Sequence, residues 1–306
     1  VPIARLAPGV ALVTVPGRGL AVRTPDGEFL RVDTGDVPAD ALGLTWDTDH
    51  APGLDALTQA FAEAGYLSEP GPVSGPAAAS APAAPAEGSA EPTAGEPTAQ
   101  SVAAPPVAGP PRLAGRTVLV VGDPVLTAPL LHLLRDEGAD ARFAREAELT
   151  DAVDAVDAAG PGTAVVWCLD APVPPGAWDA ADRLPGRGVA WLRCHREGAT
   201  AWIEPLAARP GDVTARHVRL RRLAATPAHR ELDAYWAGSR TEDTGPRHGA
   251  ASAALTAALL TAALLEWAAA DGTGGGARTL RRIDLRDLTV TEHTVLPVPE
   301  VAPIRR

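Results

Sequence analysis

Between residues 113 and 203, short unbroken apolar runs alternate with stretches whose apolar positions recur every three or four residues. That alternation predicts buried strands and amphipathic helices in turn. Residues 117–121 form one such run, ending in Gly122-Asp123-Pro124, and residues 125–138 then place Leu126, Leu130, Leu133 and Leu134 on one helical face. The pattern continues with a strand at 140–143, a helix at 146–158, and a buried strand at 163–169 that ends at Asp170. Strands at 189–193 and 200–203 follow. Together they predict a mostly parallel sheet with helices on its faces. Residues 217–223 alternate basic and apolar side chains, which reads as a strand with one wet face carrying Arg219 and Arg221. Residues 249–265 carry no charge and set leucines at 255, 259, 260, 264 and 265, a one-sided stripe. A membrane helix would be apolar all round and longer, so a soluble core or interface helix is expected.

The first 68 residues are punctuated differently. Strands at 10–15 and 20–23 flank Pro16-Gly17-Arg18-Gly19, and Pro25-Asp26-Gly27 turns the chain into a third strand at 28–32. A short helix is expected at 38–44 and a longer one at 54–64, closed by Gly65 with Tyr66 and Leu67 packing back. This is the plan of a winged-helix-like α+β module. Residues 69–112 are mostly Pro, Ala, Ser, Gly, Thr and Glu with no aromatic and few large aliphatics, too little apolar surface to offset ordering. They are expected to be a flexible linker. The fold class is therefore α/β: module 1–68, linker 69–112, and a Rossmann-type domain at 113–306.

Composition narrows the function. The chain has 306 residues, no Lys, Asn or Met, and a net charge of −11, which argues against a general nucleic-acid binder. Within residues 1–68 four arginines face nine acidic residues, with the helical part acidic, so a DNA-reading winged helix is disfavoured as well. Cys168 and Cys194 are too few for a disulfide scaffold or a four-thiolate zinc site. No signal-peptide pattern opens the sequence, and the cytoplasm is the expected location.

The turn after the first strand carries the most information. Dinucleotide-binding folds grip phosphates there with G-x-G-x-x-G at a helix N-terminus. Here Gly122-Asp123-Pro124-Val125-Leu126-Thr127 keeps one glycine, places a carboxylate where an anion would sit, and loses an N–H at Pro124. The scaffold of a nucleotide site is expected without its function, and no cofactor is expected. No G-x-S-x-G, H-E-x-x-H, Walker lysine or C-x-x-C appears. Cys194 and His195 are neighbours on a strand and so point to opposite faces, which argues against a nucleophile pair. Cys168 is expected in the core, Cys194 to be incidental, and Asp170 to cap the turn that follows it.

The order of pieces resembles the ThiF-like leader-peptide-binding proteins that accompany YcaO-type cyclodehydratases in making azole-containing peptides, in particular the stand-alone thiopeptide type. Active ThiF-like proteins carry G-P-L-x-x-P-G-x-x-x-C-x-x-C and a second C-x-x-C that hold structural zinc. Here Glu204-Pro205-Leu206 and Pro210-Gly211-Asp212-Val213-Thr214 keep the frame. Ala215 and Val218 stand at the first cysteine pair, and Val301 and Ile304, after Leu296-Pro297-Val298-Pro299-Glu300, at the second. None can ligate zinc, so the resemblance implies a vacated metal site. It further implies that the N-terminal module adds a leader peptide to its sheet edge, by backbone pairing with side-chain pockets. The edge would be Glu28, Phe29, Leu30, Arg31 and Val32, and the groove helix would supply Leu54, Leu57, Thr58 and Phe61. The implied partners are the precursor leader and a YcaO-type cyclodehydratase, with a homodimer possible, and neither nucleic acid nor membrane. The chain itself would not be an enzyme. The alternatives are a ThiF-like ATP-dependent adenylating enzyme, a nucleotide-binding Rossmann-type enzyme, and a scaffold whose N-terminal module only mediates dimerisation.

Overall fold

The computed structural model describes residues 5–33, 54–68, 111–148, 162–242, 245–270 and 278–299. The helix expected at 38–44, the linker residues up to 110, and Val301 and Ile304 lie outside them.

Strands β1 (Arg5–Leu6) and β5 (Leu67–Ser68) pair antiparallel and bracket the N-terminal part. Strands β2 (Ala11–Val15), β3 (Gly19–Arg23) and β4 (Phe29–Val32) form an antiparallel sheet in that order. Helix α1 (Leu54–Glu63) follows. The β2 sequence is apolar at four of five positions because both faces of the sheet are covered. Val10, Leu12, Leu20 and Val22 pack with Phe61 of α1 on one side. Ala11, Val13, Val15 and Ala21 pack on the other against Leu232, Tyr235 and Trp236 of α4 (His229–Trp236). The sheet thus shares a core with the α/β part, and the segments flanking residues 71–110 belong to one compact unit.

The α/β part is built on a seven-stranded sheet with strands β6 (Thr117–Gly122), β7 (Asp140–Phe143), β8 (Thr163–Cys168), β9 (Ala190–Glu197), β10 (Thr200–Ile203), β11 (Thr279–Asp284) and β12 (Val290–Thr294). Their order is β12-β11-β10-β9-β8-β6-β7. Strands β7, β6, β8 and β9 run parallel, and β9 through β12 continue antiparallel. Every residue of β8 is buried, as a parallel strand covered on both faces requires. On one face Leu126, Leu130 and Leu134 of α2 (Pro124–Asp136) meet Ala253, Ala257, Leu260 and Leu264 of α5 (Ala250–Ala269). Helix α5 has the length and apolarity of a membrane span, yet these residues bury it in the core. The other face is covered by Trp178 and a 3-10 helix at Ala181–Arg187.

Two sequence expectations change. Residues 217–223 are not a strand but the middle of helix α3 (Ala215–Ala225). The basic–apolar alternation misleads because Leu220 stays in solvent, while Val218 and the Arg222 stem, four residues apart, form the inward stripe. Of the helix expected at 146–158, Glu146–Glu148 forms a 3-10 turn, and the rest lies outside the described residues.

Candidate functional site

The N-terminal sheet has two unlike edges. Thr24 N–H donates to the Glu28 carbonyl at 2.9 Å, which sets the phase of the ladder. Antiparallel pairs alternate, so Leu30 and Val32 exchange bonds with Val22 and Leu20, while Phe29 and Arg31 aim their backbone groups away from β3. The same alternation turns Leu12 and Thr14 of β2 outward, and there the chain closes the edge itself. Thr14 N–H donates to the Ser239 carbonyl at 2.9 Å, and Thr241 N–H donates to the Leu12 carbonyl at 2.9 Å. Leu12 N–H donates to Thr241 Oγ1 at 3.0 Å. On β4 no other strand among the described residues meets the outward groups of Phe29 and Arg31.

The side chains expected at this edge divide between two faces. Phe29 turns toward α4 and packs edge-on to Tyr235 at 6.2 Å. Arg31 is exposed on the same face, with its Nε 3.6 Å from Glu231. Leu30 and Val32 face the α1 side, where Val32 joins the Phe61 cluster and Leu30 is 43% exposed. Glu28 is exposed and Thr58 half-buried. Phe61 supports the sheet from beneath: it is buried and stacked edge-on to Tyr66 at 5.9 Å, so it does not line an open groove. The side chains of Leu54 and Leu57 lie outside the described residues.

In an open parallel sheet, ligands bind at the strand C-termini where the order reverses, here between β6 and β8. This crevice is filled. Gly122 has φ +117°, and a Cβ on it would stand 1.8 Å from the Cys168 carbonyl oxygen. The glycine therefore admits the neighbouring strand rather than a phosphate. Asp123 N–H donates to that carbonyl at 2.9 Å, and Asp123 Oδ2 accepts from Asp170 N–H at 2.6 Å. The side chain of Asp170 does not cap the turn that follows it, contrary to the expectation from the sequence. Its Oδ1 accepts from Arg196 Nε at 2.8 Å and from His248 N–H at 3.3 Å. Arg196 is fully buried, so the short strand-end carboxylate is drawn into its charge.

Ala215 and Val218, expected from the resemblance to stand at a vacated cysteine pair, occupy the first turn of α3. Ala215 N–H donates to Asp182 Oδ1 at 3.0 Å. Val218 is buried with Val213, Leu280 and Val295, and Arg221 Nε and Nη2 donate to the Leu296 and Pro297 carbonyls at 3.0 Å each. An apolar cluster and one arginine thus join α3 to residues 295–297. Among the described residues, no three His, Cys, Asp or Glu side chains converge as a metal site.

Sequence reasoning missed the polar end of β9. Arg193, His195 and Glu197 share one face, and all three are buried. Arg193 donates to Glu204 at 2.8 Å and to the Pro205 and Val213 carbonyls at 2.9 and 3.1 Å, which gives Glu204-Pro205 a structural task. Glu197 accepts from Arg222 at 3.0 and 2.6 Å, from Trp236 Nε1 at 2.7 Å and from His195 at 3.2 Å. Burial alone would raise this carboxyl. The charge of Arg222, then the hydrogen bond and charge of His195, outweigh it and hold the group well below the ordinary range. The spacing of polar residues at 193, 195 and 197 was the available signal.

No protein-family model matches the chain, and no curated protein matches it. Solved structures do. A heterocyclase in complex with substrate and cofactor is 14% identical with a TM-score of 0.41, covering 96% of this chain and 38% of its own. A chain of the E. coli microcin synthetase McbBCD complex is 10% identical with a TM-score of 0.44, covering 95% of this chain and 99% of its own. The heterocyclase TruD is 14% identical with a TM-score of 0.42, covering 97% and 42%. This chain therefore spans well under half the length of both heterocyclases, and nearly all of the McbBCD chain.

Proposed function

We propose that this chain is a non-catalytic recognition subunit of azole-forming peptide biosynthesis. It holds the leader of a ribosomally made precursor peptide and presents the core to a separate YcaO-type cyclodehydratase. That partner would use ATP to cyclise Cys, Ser or Thr side chains onto the preceding carbonyl. The observation that carries the reading is the asymmetry of the N-terminal sheet. One edge is closed by residues 239–241, while β4 offers outward backbone groups at Phe29 and Arg31, with Leu30 exposed beside them. An extended peptide gains affinity from such an edge by backbone pairing. The filled crevice at Gly122, Asp123 and Asp170 supports a binding role without nucleotide chemistry. Holding the substrate raises its effective concentration at the partner, which speeds modification without chemistry in this chain.

A polarisation titration of a labelled leader peptide, taken from the neighbouring precursor gene, tests this. Arg31→Pro removes an outward N–H and leaves the β3–β4 bonds in place, because proline is tolerated where an edge N–H faces solvent. It is expected to weaken binding at least about tenfold. Arg31→Ala, which keeps the N–H, is expected to change it less than about threefold. No saturable binding by the full chain, alone and with its cyclodehydratase, would sink the reading, and pyrophosphate exchange by the chain alone would favour an adenylating enzyme.

A further inference from the structure

Helix α5 has a second face. Its buried stripe of Ala253, Ala257, Leu260 and Leu264 belongs to the core. On the opposite side Ala251, Leu255, Ala258, Ala262, Leu265 and Ala269 are each exposed or half-buried. These six positions are separated by four, three, four, three and four residues, the apolar repeat of a coiled-coil seam. No charge interrupts the chain from Gly249 to Leu265. An outward helix face is ordinarily polar, so an apolar seam along a helix about 30 Å long is one that lacks its second helix.

The seam itself says which helix. It reads Ala-Leu-Ala-Ala-Leu-Ala in both directions, so it matches a reversed copy of itself along its whole length. Laid antiparallel, Ala251 meets the partner's Ala269, Leu255 the partner's Leu265, and Ala258 the partner's Ala262. That is the self-complementarity a two-fold interface requires. Charge chooses the same direction. Arg247, just before the helix, and Glu266, in its last turn, are exposed, and neither forms an ion pair among the described residues. Arg112 lines a recess beside Glu266, but it is held by Glu137 at 3.2 Å. A parallel pair would set each of these charges next to its like. An antiparallel pair carries Glu266 onto the N-terminal half of the other helix, toward the partner's Arg247 and the positive end of the helix dipole.

We infer that the outward face of α5 is the interface of a two-fold homodimer, occupied by α5 of a second copy of this chain in antiparallel packing. The inference does not rest on leader binding. Sedimentation equilibrium of the full chain from about 1 to 100 µM is expected to give the mass of two chains at the upper end. Ala258→Glu sets a carboxylate at the centre of the seam, on an exposed position and with a good helix former. It is expected to raise the dimer dissociation constant at least about tenfold with the far-UV circular dichroism unchanged. Direction is read by cross-linking. Ala251→Cys and Ala269→Cys chains are oxidised with diamide separately and mixed, and a cross-linked dimer is expected in the mixture only. The native thiols, Cys168 and Cys194, are buried and take no part. The mass of one chain across the whole range overturns the interface. So does a dimer that Ala258→Glu leaves intact, or cross-linking of either cysteine variant with itself.

Discussion

Gly122 concentrates the chemistry of this chain in a missing methyl. Its φ of +117° and the Cys168 oxygen, 1.8 Å from where a Cβ would stand, make alanine doubly unfavourable there. Gly122→Ala is expected to lower stability by at least about 3 kcal/mol, seen as a fall in the urea midpoint. The two thiols on the adjacent strands are opposite in kind to reactive cysteines. Burial, with a smaller push from Asp123, raises the Cys168 thiol to about 12, and Cys194 is raised as well, first by burial. Neither provides thiolate at neutral pH, so an aromatic disulfide reagent is expected to label none of the native protein and both residues after denaturation. Rapid labelling of the native chain at pH 8 would contradict this.

At the scale of elements, the closed edge of β2 is the clearest design. The Thr241 hydroxyl that accepts from Leu12 N–H is buried, with the residue 8% exposed. Thr241→Val keeps the shape and strands that N–H, which is expected to cost about 1–2 kcal/mol and to leave the proposed peptide binding at β4 unchanged. Thermal melts and the same titration check both halves. Elements whose burial follows from their own spacing were legible in the sequence: β6, α2, β8 and the β2–β4 meander all appear within a residue or two of expectation. Strand β9 was legible at its start, but the burial of its polar end was not. Cys194-His195-Arg196-Glu197 looks like a polar exit from a sheet, and only partners far along the chain (Asp170, Glu204, Arg222, Trp236) make its burial possible. Strands β11 and β12 were likewise hidden, because Arg281 and Arg282 break the apolar run. The β4 edge at 28–32 was legible as a strand. Which face Phe29 and Leu30 would take was not, since it depends on α4, some two hundred residues downstream.

For the whole molecule, stability on the acid side is set by carboxyls held ionised. Glu197 and Asp284 both have folded values below their ordinary 4.5 and 3.8, Asp284 at about 2 first through its hydrogen bond with Arg286. A depressed folded value means the unfolded chain binds more protons, so the stabilisation is complete above about pH 5, begins to fall as pH drops through the ordinary carboxylate values and is lost below the folded ones. Stability is expected to decline steadily below pH 4.5, and Glu197→Gln, which leaves Arg222 without its charge partner, is expected to cost about 3 kcal/mol at pH 7 and to flatten that decline. Chemical denaturation at a series of pH values reads both; an unchanged slope in the variant would contradict the assignment.

The seating of the N-terminal sheet on α4 also fixes an order of events in the life of the chain. Leu12 and its partner Thr241 are 229 residues apart, and the face carrying Val13 and Val15 is completed by Leu232, Tyr235 and Trp236. A growing chain that has emerged only through the parallel strands already contains β4, but lacks the surface that holds β4's sheet. Contacts this distant in sequence close late. The edge that would receive a peptide is therefore among the last parts to be finished, and a nascent fragment ending before residue 229 is expected not to bind the proposed leader peptide.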